Sequence, residues 1–414
     1  MQRHAAQEPA HHTTQDTGAA APVPEAAAVA IVGAGIAGCA TAVTLARLGV
    51  RHVVLIDAEG ADDAPPAPRI GETIPGAARA PLLRLGLWDR FLAAGHLPSS
   101  GSSSRWGKAR TGYNDAIFAP LGGGWHLDRA GFDRMVRQAA RDAGLPLLAR
   151  TRLRGLEPGP AGGHRLRLDG PGGAVRLTAR LLVDASGAAA VAARALGVAR
   201  NALDTLHVHH ARLPLAGAMP ARTLLEATPD GWWYAAPVPG GHAIVALASD
   251  AAARRAAGLR EAGAWRQALA RTLLVGPALA AAQADLDRAT PHASPAPVAI
   301  LSAVVGPDWL AVGDAAASGD PLLSQGIMSA LQGGSDAGHA VAQALGGNPA
   351  PLQAYQADVF ARFTAHVRQR ATFYALEGRW PDAPFWHPRR LPALAALLDA
   401  ARDPDPGART MPAV

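Results

Sequence analysis

The chain has 414 residues, 49% of them hydrophobic and 17% charged. That is enough apolar material for roughly two to three packed domains, and too much for a disordered or fibrous chain. Its single cysteine, Cys39, excludes a disulfide framework and any cysteine-based zinc site. The formal charge of +6 comes from arginines spread along the chain, with Lys108 the one lysine and no basic cluster interleaved with aromatics. It reads as solvated surface, and nucleic acid is not an expected partner.

In chain order, residues 1–27 are rich in Ala, Gln, His and Pro and can bury too little surface to order themselves, so a disordered tail is expected. No basic start followed by a leucine-rich core marks an export signal. The uncharged run 26–46 has the length of a membrane span, but it is mostly Ala and Gly with spaced glycines. A soluble, cytoplasmic protein without a membrane partner is expected.

Residues 28–32 are a short β-branched run ending at Gly33, Gly35 and Gly38, followed by a helix-like segment and a second strand that closes on Asp57. Strand, glycine turn, helix, strand and an acid about twenty residues on is the pattern of a dinucleotide site. Gly33 permits the tight turn, Gly35 lets backbone approach a pyrophosphate, and Gly38 allows close helix–strand packing. Ile36 and Ala37 open the helix whose free N–H groups face the phosphates, and Asp57 accepts hydrogen bonds from a ribose diol. Cys39, just inside that helix, reads as a small packed residue.

Near the other end, residues 309–316 form a buried strand running into Gly313 and Asp314. Asp314 can take hydrogen bonds from ribityl hydroxyls; its alternative is a helix cap. Pro321 fixes the following loop. Gly326 and Ile327 then begin a long helix whose dipole and N–H groups would stabilise the negative charge of a reduced flavin. The dinucleotide indicated is therefore FAD.

With Leu181-Leu182-Val183-Asp184-Ala185-Ser186-Gly187 between them, these two motifs resemble the flavoprotein monooxygenases of the p-hydroxybenzoate hydroxylase fold over residues 28–345. The resemblance implies an α/β (α+β) architecture: a Rossmann-type FAD domain with an inserted mixed-sheet substrate domain, and helices at the C-terminus. It also implies that Arg69 and Arg129 lie against the FAD. The FAD domain is expected over 28–205, with a substrate-side excursion at 70–130, and again over 301–345. The substrate domain is expected over 206–300, a helical segment over 346–400 and a flexible tail over 401–414. The Trp- and Pro-rich stretch 380–390 cannot be a regular helix; it reads either as a docking surface or as a strap over the core.

Residues 69–75 (RIGETIP) look like the corresponding segment of tryptophan-halogenase-like flavoproteins. Those enzymes need a lysine in the following strand. Here 98–106 reads PSSGSSSRW, and Lys108 comes too late, an offset of well over 10 Å along a strand. The halogenase WxWxIP motif is reduced to Trp232-Trp233-Tyr234-Ala235-Ala236-Pro237. The segments 95–99, 124–129, 230–234 and 377–386 are similar, as an ordered set, to the flavoproteins that mature lysine ε-oxidase and glycine oxidase, whose cofactor is cysteine tryptophylquinone. That resemblance implies a monooxygenase in which reduced FAD and O₂ form a C4a-hydroperoxide that oxygenates a tryptophan of a partner polypeptide. Electrons would come from an external donor, NAD(P)H or a flavin reductase. Halogenation, small-molecule aromatic hydroxylation, and a non-catalytic FAD-containing chaperone remain as alternatives.

For such chemistry Trp125, Trp232, Trp233 and Tyr234 are suitable apolar lining, with core packing as the alternative for each. His126 is the expected proton handler, its ordinary pKa lying near neutrality. His207 and His209 share a strand face, but no third ligand stands at a helpful spacing and no metal is expected; they read as polar residues of the substrate sheet facing the flavin cavity.

Overall fold

A computed structural model describes residues 24–60, 71–160, 162–251, 255, 258 and 261–389. Arg69 lies outside the described residues, as do the two expected tails except for 24–27. There the first strand already begins, at Ala26, with Ala26 and Ala27 paired to Thr178 and Ala179.

Two sheets organise the described chain. The first carries the strand Ala26–Val32 between Val53–Ile56 and Gly173–Asp184, all parallel. These strands are almost wholly apolar and buried because helices cover both faces of a parallel sheet. Gly173–Asp184 is long enough to fork. Its early residues pair antiparallel with His164–Gly170, while Leu182–Asp184 pair in parallel with Trp309–Ala311. The fork brings the late Gly-Asp motif beside the end of the first strand, at the carboxyl edge where open α/β sheets bind ligands.

The second sheet runs His292–Pro295, Leu206–Pro214, His242–Asp250, Gly231–Val238, Thr223–Thr228, Gly101–Arg105, Gly112–Asp115. Its last two strands come from the early excursion, and one junction, Thr223–Thr228 with Gly101–Arg105, is parallel. A small sheet of Thr73–Ile74, Trp125–His126 and Leu97–Pro98 sits between the two.

The helix Gly326–Leu345 lies hard against Ile36–Arg47. A Cβ on Gly334 would stand 2.6 Å from the Ala37 carbonyl oxygen, and one on Gly338 2.7 Å from Thr44 Cβ. The helix Ala350–Leu376 packs on Gly326–Leu345, with the Tyr355 hydroxyl donating to the Ala311 carbonyl at 2.9 Å. Beyond it the chain is a strap. Phe385 and Trp386 are buried, Trp386 Nε1 donates to the Thr228 carbonyl at 2.8 Å, and Arg389 pairs with Asp250 at 2.6 Å. Among the described residues no helix is long and apolar enough to cross a membrane.

Candidate active site

A cavity of about 1080 Å³ opens along the seam between the two sheets. The glycines at its wall and just behind it divide into two kinds. Gly33 sits at φ +111°, and a Cβ there would stand 2.2 Å from the Ala185 carbonyl oxygen; one on Gly38 would stand 2.0 Å from the Gly33 carbonyl oxygen. Both hold backbone against backbone. A Cβ on Gly35 or Gly326 would meet nothing within 4 Å. These two face open space at the N-termini of the helices Ile36–Arg47 and Gly326–Leu345, whose first turns have no side-chain cap. Uncapped N–H groups with room in front of them form an anion cradle.

The remaining cofactor-side residues also reach this wall. Ile36, Ala37, Asp57, Arg129, Gly313, Asp314, Pro321 and Ile327 all line the cavity with Gly33, Gly35 and Gly326, whereas Gly38 packs behind it. Asp57 receives a 3.0 Å bond from Arg137 Nη2 and a 3.2 Å bond from the Glu59 N–H. Arg129 Nη1 donates to the Gly71 carbonyl at 3.0 Å. Burial raises the Asp314 carboxyl, opposed by Arg200 and then Arg129. Arg200 holds the backbone here, donating to the carbonyls of Asp314 at 3.0 Å and Ala315 at 3.1 Å. Nothing in the sequence around Arg200 signals that role; it depends on a contact across more than a hundred residues.

The loop before Gly326 is fixed from the C-terminal helix. Asp320 Oδ1 caps the turn through the Leu322 N–H, and the Asp320 N–H donates to His366 Nε2 at 2.7 Å. Asp320 Oδ2 takes Arg370 Nε at 2.7 Å and the Tyr374 hydroxyl at 3.0 Å, and Tyr374 in turn accepts from Trp232 Nε1 at 3.0 Å. One line of hydrogen bonds thus joins the flavin-side loop to the indole on the opposite wall.

The strand Gly231–Val238 supplies that wall, and its alternation separates the expected aromatics. Trp232 and Tyr234 line the cavity. Trp233 points through the sheet to pack on Trp265, ring centroids 5.3 Å apart. Trp125 does not reach the cavity either: it packs edge-on against Trp88 and Phe91. His126 is fully buried behind Thr73, whose Oγ1 lies 3.3 Å from His126 Nδ1, 3.3 Å from Thr223 Oγ1 and 2.8 Å from the Tyr234 hydroxyl. Burial lowers His126 to about 4, so it is neutral at pH 7 and one hydroxyl removed from the cavity. Glu72 is on the cavity wall beside Thr73, and burial raises its carboxyl to about 7 against the lowering pull of Arg129. The sequence marked Glu72 only as a member of the stretch 69–75; a buried carboxyl poised near neutrality becomes visible once its surroundings are known.

His207 and His209 do not face the cavity: Val208 between them lines it, and alternation along the strand turns both rings to the other side of the sheet. Among the described residues no group of three or more His, Cys, Asp or Glu side chains is placed to hold a metal. Lys108 is exposed in the turn beyond the strand Gly101–Arg105.

The cavity's size, its two open glycine cradles and the acidic residues between them fit an extended dinucleotide carrying a flavin. Residues 26–370 match the family described as FAD binding domain. The chain belongs to this family. It is an FAD-dependent oxidoreductase. It is 27% identical over 374 residues to LodB of Marinomonas mediterranea, a protein named as an FAD-dependent oxidoreductase, covering 90% of this chain and 98% of LodB. The peptidyl tryptophan dihydroxylase QhpG superposes with a TM-score of 0.70 at 26% identity, over 88% of this flavoprotein and 78% of QhpG. The flavin-dependent halogenase CmlS superposes at 0.77 with 22% identity, over 91% and 70% of the two chains; that likeness is one of fold.

Proposed function

We propose that this flavoprotein oxygenates the indole of a tryptophan in a partner polypeptide. The observation that carries the reading is the shared cavity: Trp232 and Tyr234 face the same space as the open turns at Gly35 and Gly326. FAD, when bound and reduced, supplies the activated oxygen. The chain's own residues do the rest. Gly35 with Arg129 and Asp57, and Gly326 with Asp314, hold the two ends of the dinucleotide. Trp232 and Tyr234 set an apolar face against which an aromatic ring is oriented. His126, neutral, keeps Thr73 and through it the Tyr234 hydroxyl in place. Glu72 stands where it can take the proton that the ring carbon loses as it gains oxygen, while the second oxygen leaves as water on electrons from an external donor. A carboxyl near neutrality suits that exchange.

Support for a peptidyl indole comes from QhpG, named as a peptidyl tryptophan dihydroxylase essential for tryptophylquinone cofactor biogenesis; the match to LodB supports the FAD-dependent oxidoreductase beneath it. Halogenation is the less favoured reading, because the strand Gly101–Arg105 carries Ser102, Ser103 and Ser104 and no lysine. The deciding experiment incubates holoenzyme, an electron donor and O₂ with a tryptophan-bearing quinoprotein subunit precursor, followed by peptide mass spectrometry. Oxygen mass on a tryptophan peptide is the expected result. A chloride- or bromide-dependent gain instead, or a flavin that never cycles between photoreduction and air, overturns it.

A further inference from the structure

We infer that the edge of the substrate sheet at Gly112–Asp115, with the loop that follows it, is the docking site for an extended segment of the partner polypeptide, apolar along one stretch and acidic along the next. This rests on the reading of a peptidyl substrate given above.

The observation is a concentration of apolar side chains in one exposed place. Tyr113 is 70% exposed, Ile117 86%, Phe118 82% and Leu121 70%. An isolated exposed hydrophobe needs no explanation, but a contiguous group marks an interaction surface. Here the group lies on a sheet edge. Among the described residues Gly112–Asp115 pairs with Gly101–Arg105 on one side and with no strand on the other. The opposite edge of the same sheet is His292–Pro295, which ends in a proline that cannot donate to a further strand. Proteins blunt such edges unless they use them, and adding a strand is one common use.

The chemistry of the occupant follows from what flanks the apolar group. The hairpin turn leading into the edge carries Lys108 and Arg110, both exposed, and Arg110 and Arg105 line a shallow depression with Tyr113. The nearby acid, Asp115, is already paired with Arg222 at 2.7 Å. A segment lying along the edge therefore meets cations at its turn end and Tyr113, Ile117, Phe118 and Leu121 beyond. A second copy of this chain would bring a like-charged turn against this one or leave it unpaired.

The edge is also connected to the chemistry. Arg222, which holds Asp115 and lies over the Tyr113 ring, precedes Thr223, whose hydroxyl touches Thr73 in the cavity network. The exposed loop runs straight into Trp125–His126, paired with Thr73–Ile74. The strand bearing Tyr234 is three strands in from the edge, about 14 Å at ordinary strand spacing. About five or six extended residues span that distance and the sheet's flank, so a tryptophan that far from the docked segment reaches the cavity.

The test uses two fluorescent synthetic peptides and the FAD-loaded full chain. One peptide has an Asp/Glu run, an alternating Val/Thr stretch, a glycine spacer and a tryptophan; its twin has lysine at every acidic position. Binding is read by anisotropy. The acidic peptide is expected to bind at least roughly tenfold tighter than its twin. The double variant Ile117→Ser, Phe118→Ser should weaken it by a similar factor, the size of a small hot spot, and Arg110→Glu should narrow or reverse the preference. These side chains are on the surface, so FAD absorbance should be unchanged in all variants. Equal binding of the two peptides, or binding indifferent to the variants, overturns the proposal. So does a wild-type dimer in sedimentation that the double variant converts to monomer, because the face would then be a self-interface. The reading beneath fails separately, if the wild type with a donor that reduces its flavin oxygenates no tryptophan of a quinoprotein precursor, whether or not it oxygenates free indole.

Discussion

The two walls of the cavity are built by different means. The wall proposed to hold the nucleotide is largely backbone: turns at Gly33 and Gly313, helix N-termini at Gly35 and Gly326, and carbonyls pinned by Arg200. The substrate wall is side chain: Trp232, Tyr234, Glu72 and the hydroxyls behind them. A backbone wall tolerates almost no substitution at its packed glycines, because the missing Cβ is itself the fit. A side-chain wall can be edited one group at a time, and neighbouring residues on one strand answer to different demands.

That contrast can be broken or sharpened by substitution. The largest effect is expected at Gly33→Val. The new Cβ has no room beside Ala185 and the backbone lies at positive φ, so a loss of roughly 4 kcal/mol or more should leave protein that neither folds nor turns yellow, read by thermal melt and flavin absorbance. Next, Trp233→Ala empties a site packed on Trp265 and should cost about 3–5 kcal/mol in denaturant unfolding while leaving FAD affinity intact. If Trp233→Ala altered the product and not stability, the assignment of strand faces would be wrong.

Glu72→Gln comes third and has a sign that can be fixed in advance. The folded carboxyl is raised from its ordinary 4.5 to about 7, so between those values the native state holds more proton than the unfolded one. Stability from this group is therefore highest below pH 4.5 and falls as pH rises to about 7, by roughly 3 kcal/mol in all. The apoprotein variant should be more stable than wild type above pH 7 and lose the difference on acidification; in turnover, its pH profile should lack the limb near 7. A parallel dependence in both proteins would remove Glu72 from that role. The smallest change in folding is expected at Trp232→Phe and Gly35→Ala. Trp232→Phe gives up one hydrogen bond to Tyr374, about 1 kcal/mol, yet should lower product formation per flavin reduced. Gly35→Ala should melt like wild type and bind FAD more weakly, measured by titration of the apoprotein. An unchanged FAD affinity would mean that the open cradle is not where the dinucleotide lies.

The same division explains how much of the site the sequence announced. Gly33, Gly35 and Gly38, and again Gly313, Asp314 and Gly326, work within short stretches of chain, where the spacing of glycine and acid is the geometry. Those residues could be read without any tertiary knowledge, and all but Gly38 line one cavity. The aromatic group was read as one lining, but a strand turns alternate residues to opposite faces, so Trp232 and Tyr234 meet the cavity and Trp233 does not. Trp125 and His126 were close in kind to what the chemistry wants, and the small sheet buries them a layer too deep. Glu72 lay inside a marked stretch without being singled out, and Arg200, Arg370 and Tyr374 carried no local signal at all.

What the amino-acid order determined by itself was the cofactor class and the form of the two glycine turns, because backbone conformation and helix N-termini are fixed over a few residues. What only the folded chain decided was which aromatics share a cavity, which carboxyl is held near neutrality, and that Phe385 and Trp386 belong to a strap and not to a docking surface. Burial and the company of distant residues set those properties, and neither is written in any short stretch of the chain.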